Sequence, residues 1–274
     1  MCRLIAYLGS EVPLATVVSD PDHSLVLQSY QPQEMTAGLL NADGFGVGWY
    51  SEHLDEPCLY ANTLPIWNDV NLPRLGKHVR SPLIFASVRS ATPGLAVDLS
   101  NCQPYLHDRW MGMHNGFIQD FRHTLMRPVR QLLREDYYRA VLGTTDSEHL
   151  FALWLHYLHD LPATLAGMRD ALRQTLDRVA EWAEASDLQA SLNLMFTDGR
   201  ELVASRFSTR APAPTLYYAT DDPAFPNAVV LASEPPYDSD RWQAIPEGAI
   251  VTVDSHREVA IELYQFSTKQ GAIV

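Results

Sequence analysis

A block of helical periodicity from about residue 124 to 185, set between two long stretches of strand-like alternation, does most to narrow the folds open to this chain. In its last part Leu165, Met168, Leu172, Leu176, Val179 and Trp182 recur every three or four positions, the spacing of a helix with one buried face. Before the block, strands are expected at 3–8, 44–50, 58–62, 83–89 and 110–114, with short helices at 24–30 and 69–79. After it, strands are expected at 190–196, 201–207, 215–219, 228–233, 249–253 and 259–264. A doubly wound parallel sheet would alternate strand and helix throughout, so this order points to an α+β protein with largely antiparallel sheets. No internal repeat or linker interrupts the 274 residues, and a single domain over 1–274 is expected.

Charge narrows the partners. With 20 Lys+Arg against 33 Asp+Glu the formal net charge is −13, and no basic patch offsets the repulsion of a phosphate backbone, so nucleic acid is not expected as a ligand. Apolar runs such as 228–232 are far shorter than the roughly 20 residues of a bilayer span. The Met1-Cys2-Arg3 start has no leader-like apolar region, so a cytoplasmic protein off the membrane is expected.

Three cysteines, Cys2, Cys58 and Cys102, form no CxxC pair, and a disulfide framework is not expected. Cys58 and Cys102 read as small buried hydrophobes. Gly44, Gly46 and Gly48 alternate with Phe45, Val47 and Trp49, which strips one strand face of side chains. Close packing on a helix and the wall of a pocket explain that face equally well. The GxGxG spacing is not a dinucleotide fingerprint. His149, His156 and His159 share a helix without HExxH spacing, and neither a metal nor another cofactor is expected.

Removal of Met1 would leave the Cys2 thiol and a free α-amine on one residue. An α-amine titrates near about 7.7–8.0 and a thiol near about 8.5, so the amine can take the thiol proton at little cost. Nucleophile and base then need no histidine. A cysteine after Met is weak evidence alone, but three further segments accompany it. Val88-Arg89-Ser90-Ala91-Thr92 follows a strand, His114-Asn115-Gly116 is expected to end another, and Thr145-Asp146-Ser147-Glu148 opens a helix. They offer a cation, an oxyanion donor and an anion. Singly, Arg89 could be a surface ion pair, Asn115 a turn residue and Asp146 a helix cap.

Together, in that order behind Met-Cys, these segments resemble the class II glutamine amidotransferases, which carry an N-terminal Cys, an R-x-A-T stretch, an HNG and an S/T-D-[ST]-E. The resemblance implies a four-layer αββα sandwich of two mainly antiparallel sheets, the N-terminal-nucleophile hydrolase type. It further implies that Cys2 attacks a γ-glutamyl amide to form a thioester. The Asn115 side chain and the Gly116 N–H would form the oxyanion hole. Arg89 and Thr92 would meet the substrate α-carboxylate, and Asp146 the α-ammonium. Ser90 departs from the Trp usual in sugar-synthesising members.

The run Asn41-Ala42-Asp43-Gly44-Phe45-Gly46-Val47-Gly48-Trp49-Tyr50, with Pro65-Ile66-Trp67 and Arg89-Ser90-Ala91-Thr92-Pro93-Gly94, is similar to the ergothioneine-biosynthesis amidohydrolase branch. That similarity implies hydrolysis of γ-glutamyl-hercynylcysteine sulfoxide, releasing glutamate without channelled ammonia. Trp49, Tyr50 and Trp67 are candidates to face the trimethylammonium, with core packing an equal alternative. A stand-alone glutaminase feeding a partner synthase is the runner-up, and an inactive binding module of the same fold the third reading. The expected partner is a small γ-glutamyl molecule; the sequence leaves a protein partner open.

Overall fold

The computed structural model describes residues 2–35, 38, 40–51, 53–91, 97–210 and 212–264. Strands are β1 (Arg3–Pro13), β2 (Phe45–Ser51), β3 (Leu54–Asn62), β4 (Arg80–Val88), β5 (Tyr105–His107), β6 (Trp110–Ile118), β7 (Ala190–Thr197), β8 (Leu202–Arg206), β9 (Tyr217–Asp222), β10 (Phe225–Ala232), β11 (Gln243–Ala244), β12 (Ala249–Val253) and β13 (Val259–Leu263). Helices are α1 (Leu14–Val18), α2 (Leu25–Gln28), α3 (Leu72–His78), α4 (Met126–Leu132), α5 (Glu135–Ala140), α6 (Asp146–Leu158) and α7 (Leu165–Ala185). One sheet has the order β11-β9-β10-β1-β4-β2-β3 and the other β13-β12-β8-β7-β6-β5, with antiparallel neighbours throughout.

Strand alternation divides the apolar side chains into layers. On β1, Leu4, Ala6 and Leu8 join Phe85 of β4 and Met111, Met113 and Met195 of the second sheet in a core between the sheets. Ile5 and Tyr7 point the other way, into a core with α1 and α2. The far face of the second sheet packs under α6 and α7 around Trp154, Leu172 and Phe196. Helices, sheet, sheet and helices follow in order, the four-layer sandwich that the family resemblance implies.

The structure changes several expectations. The His114-Asn115-Gly116 segment lies inside β6 rather than at its end, because the ladder to β7 continues through Asn115↔Asn193, Gly116↔Leu192 and on to Ile118↔Ala190. Helix α3 starts at Leu72, not at 69. The Asp69 carboxylate accepts the N–H groups of Asn71 and Leu72, and Pro73 occupies the first turn, where its missing N–H is harmless. Cys102 is buried, but Cys58 is exposed, since β3 is an edge strand with a largely solvated pattern.

The glycine face of β2 meets the second sheet rather than a helix. A Cβ on Gly46 would lie 2.2 Å from the Gln103 carbonyl oxygen, and one on Gly48 2.3 Å from the Met111 sulfur. Gly44 takes a φ of +110° that suits only glycine, beside the Cys102 sulfur.

Candidate active site

At one end of the first sheet, three strands bring their termini together. Arg3 of β1 pairs with Val88 of β4, and Phe45 of β2 pairs with Val88 from the other side. One residue further, the Arg89 N–H donates to Gly44 O at 2.8 Å and the Asp43 N–H to Arg89 O at 3.0 Å. Cys2 has the parity of Leu4 and Ala6, and Arg89 that of Leu83 and Phe85, so both belong to the faces turned toward the second sheet. Arg89 is buried, and its Nη1 donates to Asp43 O at 3.4 Å. The Asp43 carboxylate accepts the Ala91 N–H, which ties the residues just after β4 to the β2 end. Burial pushes the Cys102 thiol up, against the pull of Arg89, and the nearby Cys2 adds to the rise.

From the second sheet, β6 carries Asn115 on this same inner face, where Met111 and Met113 share its parity. Asn115 is fully buried, and neither side-chain polar atom has a hydrogen-bond partner. Buried amides without partners are uncommon and call for a ligand, water or mechanistic role. The main chain of His114 is held on its outer side by Gln103, whose Nε2 donates to His114 O at 2.9 Å and whose Oε1 accepts the His114 N–H. In an antiparallel strand successive N–H groups point to alternate sides. The Gly116 N–H therefore points toward the Gln103 side, away from β7. Gly116 must be glycine, since a Cβ there would lie 1.9 Å from Ser191 O.

On the opposite face of β6, His114 meets the amino end of α6. Its Nε2 lies 2.9 Å from Ser191 O, which can only accept, so that nitrogen carries the proton. Nδ1, 2.9 Å from Ser147 Oγ, then accepts from the hydroxyl in the neutral ring. Burial lowers the His114 pKa, keeping the ring neutral, with Asp146 opposing the shift. Thr145 caps α6, its hydroxyl accepting the Glu148 N–H. Asp146 is half-buried and joins helix to strand: Oδ2 accepts the Ile118 N–H at 2.7 Å and Oδ1 the Ser147 N–H at 2.8 Å. Glu148 turns back to accept the N–H groups of Leu142 and Gly143.

Cys2 just before β1, Arg89 just past β4, Asn115 and Gly116 on β6 and Asp146 at the start of α6 thus converge at one end of the sandwich, whereas Thr92 lies outside the described residues. The aromatic candidates separate. Tyr50 is buried at the other end of β2, its hydroxyl donating to Arg109 O. Trp49 packs into the core under α1 and α2. Trp67, just past β3 at the site end, is 38% exposed and meets Tyr30 edge-on at 5.5 Å. Tyr30 carried no signal in the sequence beyond its place before the loop at residue 31.

Two other groups escaped the sequence reading. Arg3, fully buried, donates from Nε to Cys2 O at 2.9 Å and faces Glu234, whose carboxylate also accepts the N–H groups of Gln33 and Glu34. Asn193 stands opposite Asn115. A charged residue at the start of an apolar strand was the available signal for Arg3; Asn193 in a largely apolar run was the other. Among the described residues no group of three or more His, Cys, Asp or Glu is placed to hold a metal. Two surface cavities, of about 330 and 570 Å³, have none of the site residues in their linings.

Two facing antiparallel sheets between helical layers, with Cys2 immediately before a central strand, define the N-terminal-nucleophile hydrolase type of fold. Residues 1–270 match the class-II glutamine amidotransferases, and the chain belongs to that family of glutamine amidotransferase-like hydrolases. A γ-glutamyl-hercynylcysteine sulfoxide hydrolase of Mycobacterium tuberculosis is 31% identical over 92% of this chain and 93% of its own. That of Mycolicibacterium smegmatis is 32% identical over 93% and 97%. A probable glutamine amidotransferase of Saccharomyces cerevisiae, DUG3, is 29% identical over 92% and 82%. Among solved structures, a glutamine aminotransferase class-II domain protein from Silicibacter pomeroyi aligns with a TM-score of 0.69 at 25% identity, covering 96% of this chain and 99% of that one. The glutamine PRPP amidotransferase of B. subtilis shares the fold, with a TM-score of 0.64 at 15% identity over 97% of this chain and 50% of its own.

Proposed function

We propose that this chain, as one catalytic unit in the cytoplasm, hydrolyses the γ-glutamyl amide of γ-glutamyl-hercynylcysteine sulfoxide through a thioester on Cys2. The observation that carries the chemistry is the buried Asn115 amide, unpartnered and turned toward the layer that holds Cys2. The Cys2 sulfur attacks the amide carbon, and the α-amine takes the thiol proton. As the C–N bond breaks, the amine returns that proton to the departing nitrogen. Water, deprotonated by the same amine, then cleaves the thioester and releases glutamate. The Asn115 Nδ2–H and the Gly116 N–H receive the oxyanion in both steps, each such donor being worth about 2.7–4 kcal/mol in other enzymes. Arg89 binds the α-carboxylate in a fork, and Asp146 takes the α-ammonium with the lone pairs left by its backbone bonds.

For the leaving group, support comes from the names of the two mycobacterial relatives and from the exposed Tyr30–Trp67 pair, a surface suited to a quaternary ammonium. DUG3, a probable glutamine amidotransferase, favours a second reading in which glutamine itself is the substrate and ammonia passes to a partner. Intact mass of the purified protein, then glutamate release from the sulfoxide and from glutamine with Cys2→Ala as control, separates the two. Loss of Met1 with Cys2-dependent release far faster from the sulfoxide supports the proposal. Preference for glutamine moves the assignment to the ammonia-supplying enzyme, and a processed protein that turns over neither substrate sinks both.

A further inference from the structure

Asn193 lies at the centre of the site without a role in the chemistry so far described. It is fully buried, and as the register partner of Asn115 its side chain projects from the same inner face. Its orientation is fixed, because Nδ2 donates to Pro214 O at 2.9 Å and to Thr215 O at 3.2 Å. That leaves Oδ1 pointing away from those carbonyls, buried and without a donor. From Thr215 the hydroxyl donates to Ser233 O at 2.8 Å, and the Ser233 hydroxyl accepts the Leu4 N–H at 3.1 Å. Hydrogen bonds made through Thr215 and Ser233 therefore link Asn193 on the second sheet to the first strand, two residues from Cys2.

The unmet atoms at this point have a definite sum. Asn115 Nδ2 carries two N–H donors, while Asn115 Oδ1 and Asn193 Oδ1 are two acceptors. If one of these N–H groups serves an oxyanion, the other meets neither acceptor in the structure, so both carbonyl-type oxygens remain unpaired, and burying them so is costly. Of the other donor-rich groups near the site among the described residues, Arg3 shares the outward parity of Ile5 and Tyr7 and faces Glu234, and Arg89 is drawn to Asp43 O, which leaves the Cys2 α-amine of the processed chain. We infer that Asn193 Oδ1, together with Asn115 Oδ1, accepts hydrogen bonds from the Cys2 α-amine, making Asn193 the residue that orients the catalytic base. Its bonds to the amine aim the nitrogen lone pair at the thiol, and later at the leaving nitrogen. The inference rests on the reading of Cys2 as nucleophile and is independent of which γ-glutamyl amide is cleaved.

The test uses the full-length processed enzyme and iodoacetamide, whose reaction with Cys2 is followed by intact mass and peptide mapping across pH, with exposed Cys58 as internal reference. Asn193→Leu removes the acceptor at similar volume. It is expected to move the pH midpoint of Cys2 alkylation downward by about half to one unit, since the ammonium loses a partner, and to cut kcat roughly tenfold with KM nearly unchanged. Thr215→Val cuts the path of hydrogen bonds but keeps the acceptor, and is expected to leave the midpoint where it is. Should Asn193→Leu fail to fold, Asn193→Thr removes the same acceptor while keeping a polar group, and is read in the same way. Equal midpoints in wild type and the Asn193 variants, or equal shifts in the Asn193 and Thr215 variants, overturn the inference and leave Asn193 a structural residue. A wild-type Cys2 that alkylates like Cys58 at every pH removes the nucleophile reading itself, and the inference with it.

Discussion

At the scale of single residues, the site is a set of charges and dipoles held by backbone. Arg89 is fixed at both its N–H and C=O, so its guanidinium is delivered to the site by β4 and the β2 end rather than by a loose side chain. Lysine keeps the charge but loses the fork. Arg89→Lys is expected to raise KM for any γ-glutamyl substrate by about 10- to 100-fold, since hydrogen bonds to charged groups are worth about 1.5–3 kcal/mol. Steady-state kinetics check this, and an unchanged KM would remove Arg89 from substrate binding. Trp67 belongs to the other end of the substrate. Trp67→Ala is expected to raise KM for the sulfoxide by about 2- to 30-fold, the range of an exposed to partly desolvated cation–π contact, while leaving KM for glutamine alone. Equal effects on both substrates would assign Trp67 to the site's architecture instead.

At the scale of elements, α6 matters most, because its first turn both binds β6 through Asp146 and carries two buried imidazoles' partners. His149 donates from Nδ1 to Thr145 O and accepts at Nε2 from Arg130 Nε at 2.9 Å, an arrangement open only to the neutral ring. Burial lowers its pKa to about 4, with the cation of Arg130 acting in the same direction. Since the folded value lies below the ordinary value near 6.5, the unfolded chain takes the proton first. Its contribution is intact above about pH 6.5 and is lost as pH falls toward 4. Between pH 7 and pH 5 this costs roughly 2 kcal/mol, so urea unfolding of His149→Gln should show a shallower loss over that interval than wild type. Parallel losses would mean that the titrating group lies elsewhere, as at His114, which moves in the same direction. The long periodic elements were legible in the sequence: α6 begins at Asp146, inside the Thr145-Asp146-Ser147-Glu148 opening, and α7 at Leu165, where the periodic run starts, with Thr145 and Thr164 as caps. The break expected after His114 was not borne out. Asn-Gly is ordinarily turn chemistry, and only the ladder with β7, far away in sequence, holds that pair extended.

At the scale of the whole molecule, the separation of the two sheets is what brings Cys2 and Asn115 to one place, and the bare face of β2 sets it. One sequence could not say whether those glycines walled a pocket or admitted a neighbour, because the neighbour is Gln103, brought in by the opposite sheet. The same is true of Asn193, whose meaning depends on Thr215 and Ser233 two strands away. The two inner glycines should behave differently. At Gly46 an added methyl meets the carbonyl of Gln103, backbone that cannot swing aside, and Gln103 in turn holds the His114 main chain one residue before Asn115. At Gly48 the methyl meets chiefly the flexible end of Met111, with Pro104 Cγ at 2.7 Å. Gly46→Ala is therefore expected to cost about 1–3 kcal/mol of stability by overpacking and to lower kcat more than tenfold, since the oxyanion strand is displaced. Gly48→Ala is expected to cost less and to leave kcat within about twofold. Urea unfolding and glutamate release measured on both variants decide it: if the two lose activity in step with their loss of stability, sheet spacing acts only through folding, and if Gly46→Ala loses far more activity than stability explains, the contact at Gln103 sets the geometry of the oxyanion hole.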